Sequence, residues 1–326
     1  MKASRLVAGA TLAIVAWILP AQAEERRGPF EARESFLPAQ PRLNLPVVSP
    51  DPIGRGHSTL RLDLDWGNDF SRRVGSYFID GEHRSAAVTF RRGIAESWSV
   101  GARLPILWRG GGFLDRFADA IHKLGFPNNG RPEFPRDRLR ITADEAAGKA
   151  VRWTGVAGSG IGKLELESSL TPWRRAERRL AVGFSARVAL PTTSGAFSSA
   201  DGVEAGLQAL AARGLGDRFD VYAGIGLALQ APREQDGFQY APRRAFGHLA
   251  FEWRFARGWS ALAQADAGGR LLEDVERYPG LQSYLRLGVK RALGARTTLE
   301  AGFSENIKSQ QATTDFGILL GVVRRF

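Results

Sequence analysis

The 326-residue chain contains no cysteine, a single methionine and only four histidines. Without cysteine it can hold no disulfide scaffold, thiolate metal site, cysteine nucleophile or lipid-anchored amino terminus. Acidic residues are outnumbered, 34 against 45 lysines and arginines, for a formal net charge of +11. That excess does not describe a disordered polycation, because 44% of the residues are hydrophobic and 10% aromatic. Long apolar runs are missing beyond the amino terminus, and the mean hydropathy is −0.21. A helical transporter needs repeated spans of about 20 apolar residues, so that class is excluded. Apolar surface must instead be assembled from short segments.

The one apolar run sits at the start. Lys2 and Arg5 precede Leu6 to Leu19, followed by Pro20 and the small-residue end Ala21-Gln22-Ala23 before Glu24. This is the pattern of a cleavable signal peptide over residues 1–23, cut after Ala23. The run is too short to anchor the chain across a bilayer. An exported basic protein meets anionic lipid rather than nucleic acid, so outer-membrane lipids and lipopolysaccharide are the expected partners.

From residue 57 onward, segments of period-two alternation recur to the carboxy terminus. In the clearest, Leu60, Leu62, Leu64 and Trp66 alternate with Arg61, Asp63 and Asp65. One strand of this kind suits a soluble sandwich equally well, but many of them behind an export signal predict a transmembrane β-barrel. Twelve antiparallel strands are expected, at 57–67, 82–92, 97–107, 160–171, 179–190, 203–213, 218–229, 244–255, 259–269, 281–291, 297–306 and 313–326. Tight connections alternate with longer polar ones, including 68–81 and a long extracellular loop at 108–159. An even strand number puts both termini in the periplasm. Trp66, Trp98, Trp108, Trp153, Trp173 and Trp259 fall near expected strand ends, where aromatic belts lie. Phe326 ends the last strand and resembles the signal read by the barrel-assembly machinery, with Arg324 in place of the usual apolar residue.

The opposite parity carries charge of both signs. Arg61, Arg91, Arg103, Lys163, Arg187, Arg254, Arg286 and Lys290 face Asp63, Asp65, Glu165, Glu167, Glu204, Glu252, Asp266 and Glu300. An ion-selective pore would carry an unbalanced ring, whereas these near-equal lists predict a cross-paired network filling the lumen. Residues 24–56 hold six prolines and cannot form a regular strand. They are expected as a periplasmic segment, either a tether or a partial plug of the barrel mouth.

Within the long loop, Phe113, Leu114, Phe117, Ile121 and Leu124 share one helical face, and Gly125 with Pro127 ends the turn. This predicts an amphipathic helix over about 113–124, lying across the barrel as a gate or at the lipid interface. Asp80, Glu82 and His83 close the first loop, while Asp115, His122, Asn128 and Arg131 belong to the second. Both loops open on one rim, so these groups form a candidate site for a ligand or divalent cation. The metal itself is undefined, and no cofactor is expected. An outer-membrane lipid hydrolase would need a serine beside a histidine. Of the four histidines only His248 is placed deep in the barrel, beside Glu252 and Arg254, so an enzyme is not expected.

Gly28-Pro29-Phe30, Asp80-Gly81-Glu82, and Gly111 to Asp115 followed by His122, Gly125, Pro127, Asn128, Gly130 and Arg131 resemble an uncharacterised bacterial outer-membrane β-barrel family, classed as a domain of unknown function. The chain departs from it at Glu31-Ala32-Arg33-Glu34. The resemblance implies a barrel of about this size and no particular activity. The expected function is an occluded or gated barrel that passes or binds a small solute; the alternative is a structural barrel without transport.

Overall fold

The computed structural model describes residues 26–122, 133–146, 149–153, 157–175, 179–307 and 312–326, so the expected signal peptide lies outside the described residues. The described strands are β1 (Ser58–Arg73), β2 (Tyr77–Gly93), β3 (Trp98–Gly110), β4 (Arg140–Ala146), β5 (Lys149–Trp153), β6 (Gly158–Ile161), β7 (Leu164–Arg175), β8 (Leu180–Leu190) and β9 (Glu204–Leu215). They continue as β10 (Phe219–Leu229), β11 (Glu234–Gln235), β12 (Phe238–Gln239), β13 (Arg243–Ala256), β14 (Trp259–Gly269), β15 (Leu281–Leu293), β16 (Thr297–Asn306) and β17 (Phe316–Arg325). One α-helix, α1 (Asp115–His122), follows β3.

Twelve of the strands form a closed antiparallel barrel. Its order is β1, β2, β3, β7, β8, β9, β10, β13, β14, β15, β16 and β17, and β17 pairs back onto β1 from Thr59↔Arg325 to Asn68↔Phe316. Closure leaves no unpaired edge, which a strand in hydrocarbon could not tolerate. The wall is a soluble protein turned inside out. Leu62 and Leu64 are 49% and 55% exposed, while Arg61 between β2 and β17 is 6% exposed. The same alternation holds around the ring, with Ile225, Leu207 and Leu249 outward and Asp220, Gln208 and Glu252 inward. Near the short-turn end Phe219 stacks on Phe251 and Trp253, and Phe255 on Trp259, an aromatic girdle at interface depth.

Three departures from the sequence reading matter. The stretch 68–81 is mostly strand: β1 and β2 run on as one long hairpin around a turn at 74–76, where Gly75 takes φ +70°. Phe70 and Phe78 continue the outward parity and Ser71, Tyr77 and Ile79 the inward one, so the ladder never breaks. The loop after β3 adds the hairpin β4–β5, and β4 pairs with β2 above the membrane-facing wall. Third, residues 26–53 lie inside the barrel. Phe36, Leu37, Leu43, Leu45 and Val47 are at most 1% exposed.

That segment enters and leaves at the same end. Its foot is at the short-turn end, where Arg26 reaches Arg179 O (2.8 Å) and forms an ion pair with Asp51 of the returning arm. Its tip is at the long-loop end, where Gln40 Nε2 donates to Arg84 O and Trp108 O. Pro38 and Pro41 bracket the reversal, and Asn44 Nδ2 ties it by donating to Glu34 O (3.0 Å) and Arg42 O (3.2 Å). Proline suits such a path because it leaves no N–H to be satisfied in the interior.

Candidate functional site

The sixteen charges named from the inward parity line the lumen. Arg61 bonds Glu300 (2.7 Å) and Asp63 (2.7 Å); Arg103 reaches Glu165 (3.2 Å); Arg187 reaches Glu167 (2.7 Å) and Glu165 (3.6 Å). Across the barrel Arg254 pairs with Asp220, and Arg286 and His248 both meet Asp266. Glu252 accepts from Tyr222 (2.7 Å), and Asp65 accepts from Ser35 of the segment.

The segment completes this network. Its Arg27 faces Glu252, Glu31 pairs with Arg91 (2.6 Å), Arg33 bonds Glu165 (2.6 Å), Glu34 pairs with Arg244 (2.5 Å) and Arg42 with Glu204 (3.2 Å). Glu204, also bonded by Lys163 (3.0 Å), is a node between wall and segment. Charges removed from water must be paired and hydrogen-bonded to be tolerated, and here the partners come alternately from strand and arm. The Glu31-to-Glu34 stretch that broke the family resemblance supplies three of them.

Apolar side chains add a second kind of fit. Leu45 sits against Gly206 and Gly226, and Phe30 against Gly288 and Gly302; a Cβ added at any of these glycines would come within 2.8–3.1 Å of the ring or methyl. At the long-loop end Phe36 and Leu37 join Tyr77, Ile79, Ile141, Phe238, Tyr240, Leu271, Leu272, Val275 and Tyr278 in one buried cluster. Tyr240 donates to Pro38 O (3.1 Å) and carries the Arg42 guanidinium 3.7 Å from its ring centroid. Burial pushes the Tyr240 hydroxyl up to about 12, so it remains a donor at neutral pH.

The described members of the candidate rim site do not converge on one point. Glu82 and His83 are neighbours in β2, so they project to opposite faces. His83 points into the lumen and bonds Asp69 (2.9 Å), with Asp65 at 3.7 Å. Glu82 points outward, accepts from Trp66 Nε1 (2.8 Å) and caps Leu114 N at the start of α1. Gly112, at φ +62°, is required there, since any Cβ would strike the Glu82 carboxylate. Asp115 joins Glu82 on the outer side by accepting from Asn68 and from Asp137 N. Asp80 is buried in β2 opposite Phe70 and Arg140. Asn128 and Arg131 lie outside the described residues, as does the His122 side chain. Among the described residues no cluster of three or more metal-ligating side chains is placed to hold an ion.

Helix α1 therefore does not cross the mouth. Phe113, just before it, packs edge-on against Trp66 (4.9 Å) and its own Phe117 against Phe316 (5.3 Å), and both partners belong to the outward parity of β1 and β17. With Phe113 and Phe117 59% and 46% exposed, the helix lies against the outer wall of the barrel.

Sequence reasoning passed over four inward groups, three of them neutral and one an arginine. Tyr222, Gln264, Gln208 and Arg244 each contact the segment or its partners. Parity was the signal that could have found the first three, had polarity rather than charge been counted.

A closed twelve-stranded barrel with an apolar exterior and a charged, filled lumen defines a bacterial outer-membrane β-barrel protein. The chain is similar in fold to the COG4313 outer membrane channel from Pseudomonas putida F1, at 12% identity over 85% of this chain and 98% of that one, with a TM-score of 0.59. It also matches the NanC porin (7% identity, 81% and 98% covered, TM-score 0.47) and the CymD monoaromatic hydrocarbon channel (13%, 83% and 88%, 0.40). No curated protein matches by sequence. The family model described as Protein of unknown function (DUF3187) matches residues 6–326, and the chain belongs to that family.

Proposed function

We propose that this protein is a small-solute channel or binding barrel of the outer membrane, held closed by its own amino-terminal segment. The observation that carries the reading is the distribution of free space. A cavity of about 620 Å³ opens at the short-turn end, lined by Arg91, Arg174, Arg175 and Arg179 of the wall and Arg26, Glu31 and Asp51 of the segment. Above it, three smaller spaces among the described residues measure about 20 to 40 Å³, each enough for isolated waters and no solute. The segment, rather than the loop helix, is the gate.

The placement of the described histidines, none of them facing lipid on the outer wall, favours a channel over a lipid hydrolase. His83 and His248 are committed to Asp69 and Asp266 beneath the segment, and His57 lies at the rim near Phe326 O (3.4 Å). Phe326 itself is 56% exposed and available to the assembly machinery, while the short-turn end faces the periplasm after signal cleavage at Ala23. Loop arginines such as Arg138 then face lipopolysaccharide.

Planar-bilayer recording on the full chain with a Cys pair joining segment to wall at Ser35 and Asp65 tests the gate. Current should be absent when the pair is oxidised and appear on reduction with a pulling voltage. Equal current in both redox states would sink the reading.

A further inference from the structure

The ascending arm, residues 27–37, is held by the wall as a peptide is held by a receptor. Gln264 accepts from Phe30 N (2.9 Å) and donates to Phe30 O (3.1 Å), the bidentate main-chain exchange a neighbouring strand would supply. Arg27 N donates to Glu252 (3.1 Å) and Gly28 N to the Tyr222 hydroxyl (3.2 Å). Lys290 donates to Pro29 O (2.7 Å), Arg286 to Arg33 O (3.0 Å), and Leu37 N donates to Asp69 (2.9 Å). These contacts come from five strands and reach main-chain atoms, so they are offered to any extended chain whatever its side chains. Charged side chains that only filled the lumen could have paired with one another.

Selectivity is superimposed at three positions. Phe30 occupies the socket over Gly288 and Gly302, with Lys290 Nζ 5.3 Å from its ring centroid. Glu31 meets Arg91, and Arg33 meets Glu165.

We propose that the lumen is a binding site for an extended oligopeptide carrying an aromatic residue followed by an acidic and then a basic one, and that the amino-terminal arm is its resident stand-in. This rests on the reading that the arm can leave the lumen.

The test uses the full chain with a protease site inserted between Arg55 and Gly56, in the exposed linker. The protein is folded in detergent and then cut, leaving the segment as a non-covalent occupant. A fluorescent synthetic peptide of residues 26–37 is titrated in and followed by anisotropy, with bilayer current recorded on the same preparation. Saturable uptake is expected. N-methylation at Phe30, which removes the N–H read by Gln264, should weaken it at least tenfold, and so should Phe30→Ala in the peptide. In the Gln264→Leu protein, the methylated and plain peptides should bind equally. A cut protein that conducts yet takes up no peptide overturns this proposal alone, as does uptake indifferent to N-methylation. A cut protein that neither conducts nor exchanges overturns it together with the gated-channel reading.

Discussion

The two ends of the lumen are closed by different physics. At the long-loop end the tip of the segment is buried among Tyr77, Ile79, Ile141, Phe238, Tyr240 and Leu271, and burial of apolar surface contributes about 25 cal/mol per Å² whatever the ionic strength. At the short-turn end the feet are held by charge, Arg26 to Asp51 and Arg27 to Glu252, beside a water-accessible cavity of about 620 Å³. Of these the Arg26–Asp51 pair is partly open to solvent, with the Asp51 side chain 29% exposed, and pairs of that kind are worth about 0.2–1 kcal/mol and are screened by salt. The contrast teaches that opening starts at the feet and is decided at the tip. A ligand arriving from the long-loop side meets the strong seal, whereas anything acting from the short-turn side meets the weak one.

Four experiments would break or sharpen that contrast. Deleting residues 26–52 removes both closures, so bilayer conductance should go from none to a steady open current; a silent barrel would mean the lumen collapses or closes by other means. Phe36→Ala touches only the tip. Truncating a fully buried phenylalanine costs about 3–5 kcal/mol, and at 1.4 kcal/mol per tenfold the open fraction should rise at least about 100-fold. Arg26→Ala touches only the feet and should raise the open fraction by less than about fivefold, the effect fading in high salt. If Arg26→Ala opened the barrel more than Phe36→Ala, the assignment of strong and weak ends would be reversed. The smallest effect is expected outside the lumen. Replacing Glu82 with Gln removes the charge that caps Leu114 N, so the loop should become more protease-sensitive while current stays at the wild-type level.

Much of the wall was legible because lipid and lumen impose opposite demands on alternate residues. Leu62 and Arg61 could not exchange faces, so strand number, inward charges and short turns followed from period two. Where the strands rise above the hydrocarbon, that demand lapses. Asn68 and Asp69 then read as loop, although Phe70 and Phe78 carry the same hairpin on. The described part of the rim site divides for a related reason: Asp80, Glu82 and His83 read as the close of a loop opening on the rim, while strand geometry sends Glu82 to the helix and His83 to the lumen. The path of residues 26–53 had no local signal. Prolines suppress periodicity, and the partners of Glu31, Arg33, Glu34 and Arg42 lie on strands far along the chain.

The reversal at Pro38 to Pro41, tied by Asn44, has a topological consequence. Because both feet leave through the same opening, the segment and the closed ring are unlinked: no chain end has to be threaded through the barrel for one to enter or leave the other. The β1–β17 seam can therefore zip first and receive the hairpin afterwards, as a glove receives a finger, and the same motion run backwards needs no strand of the wall to part.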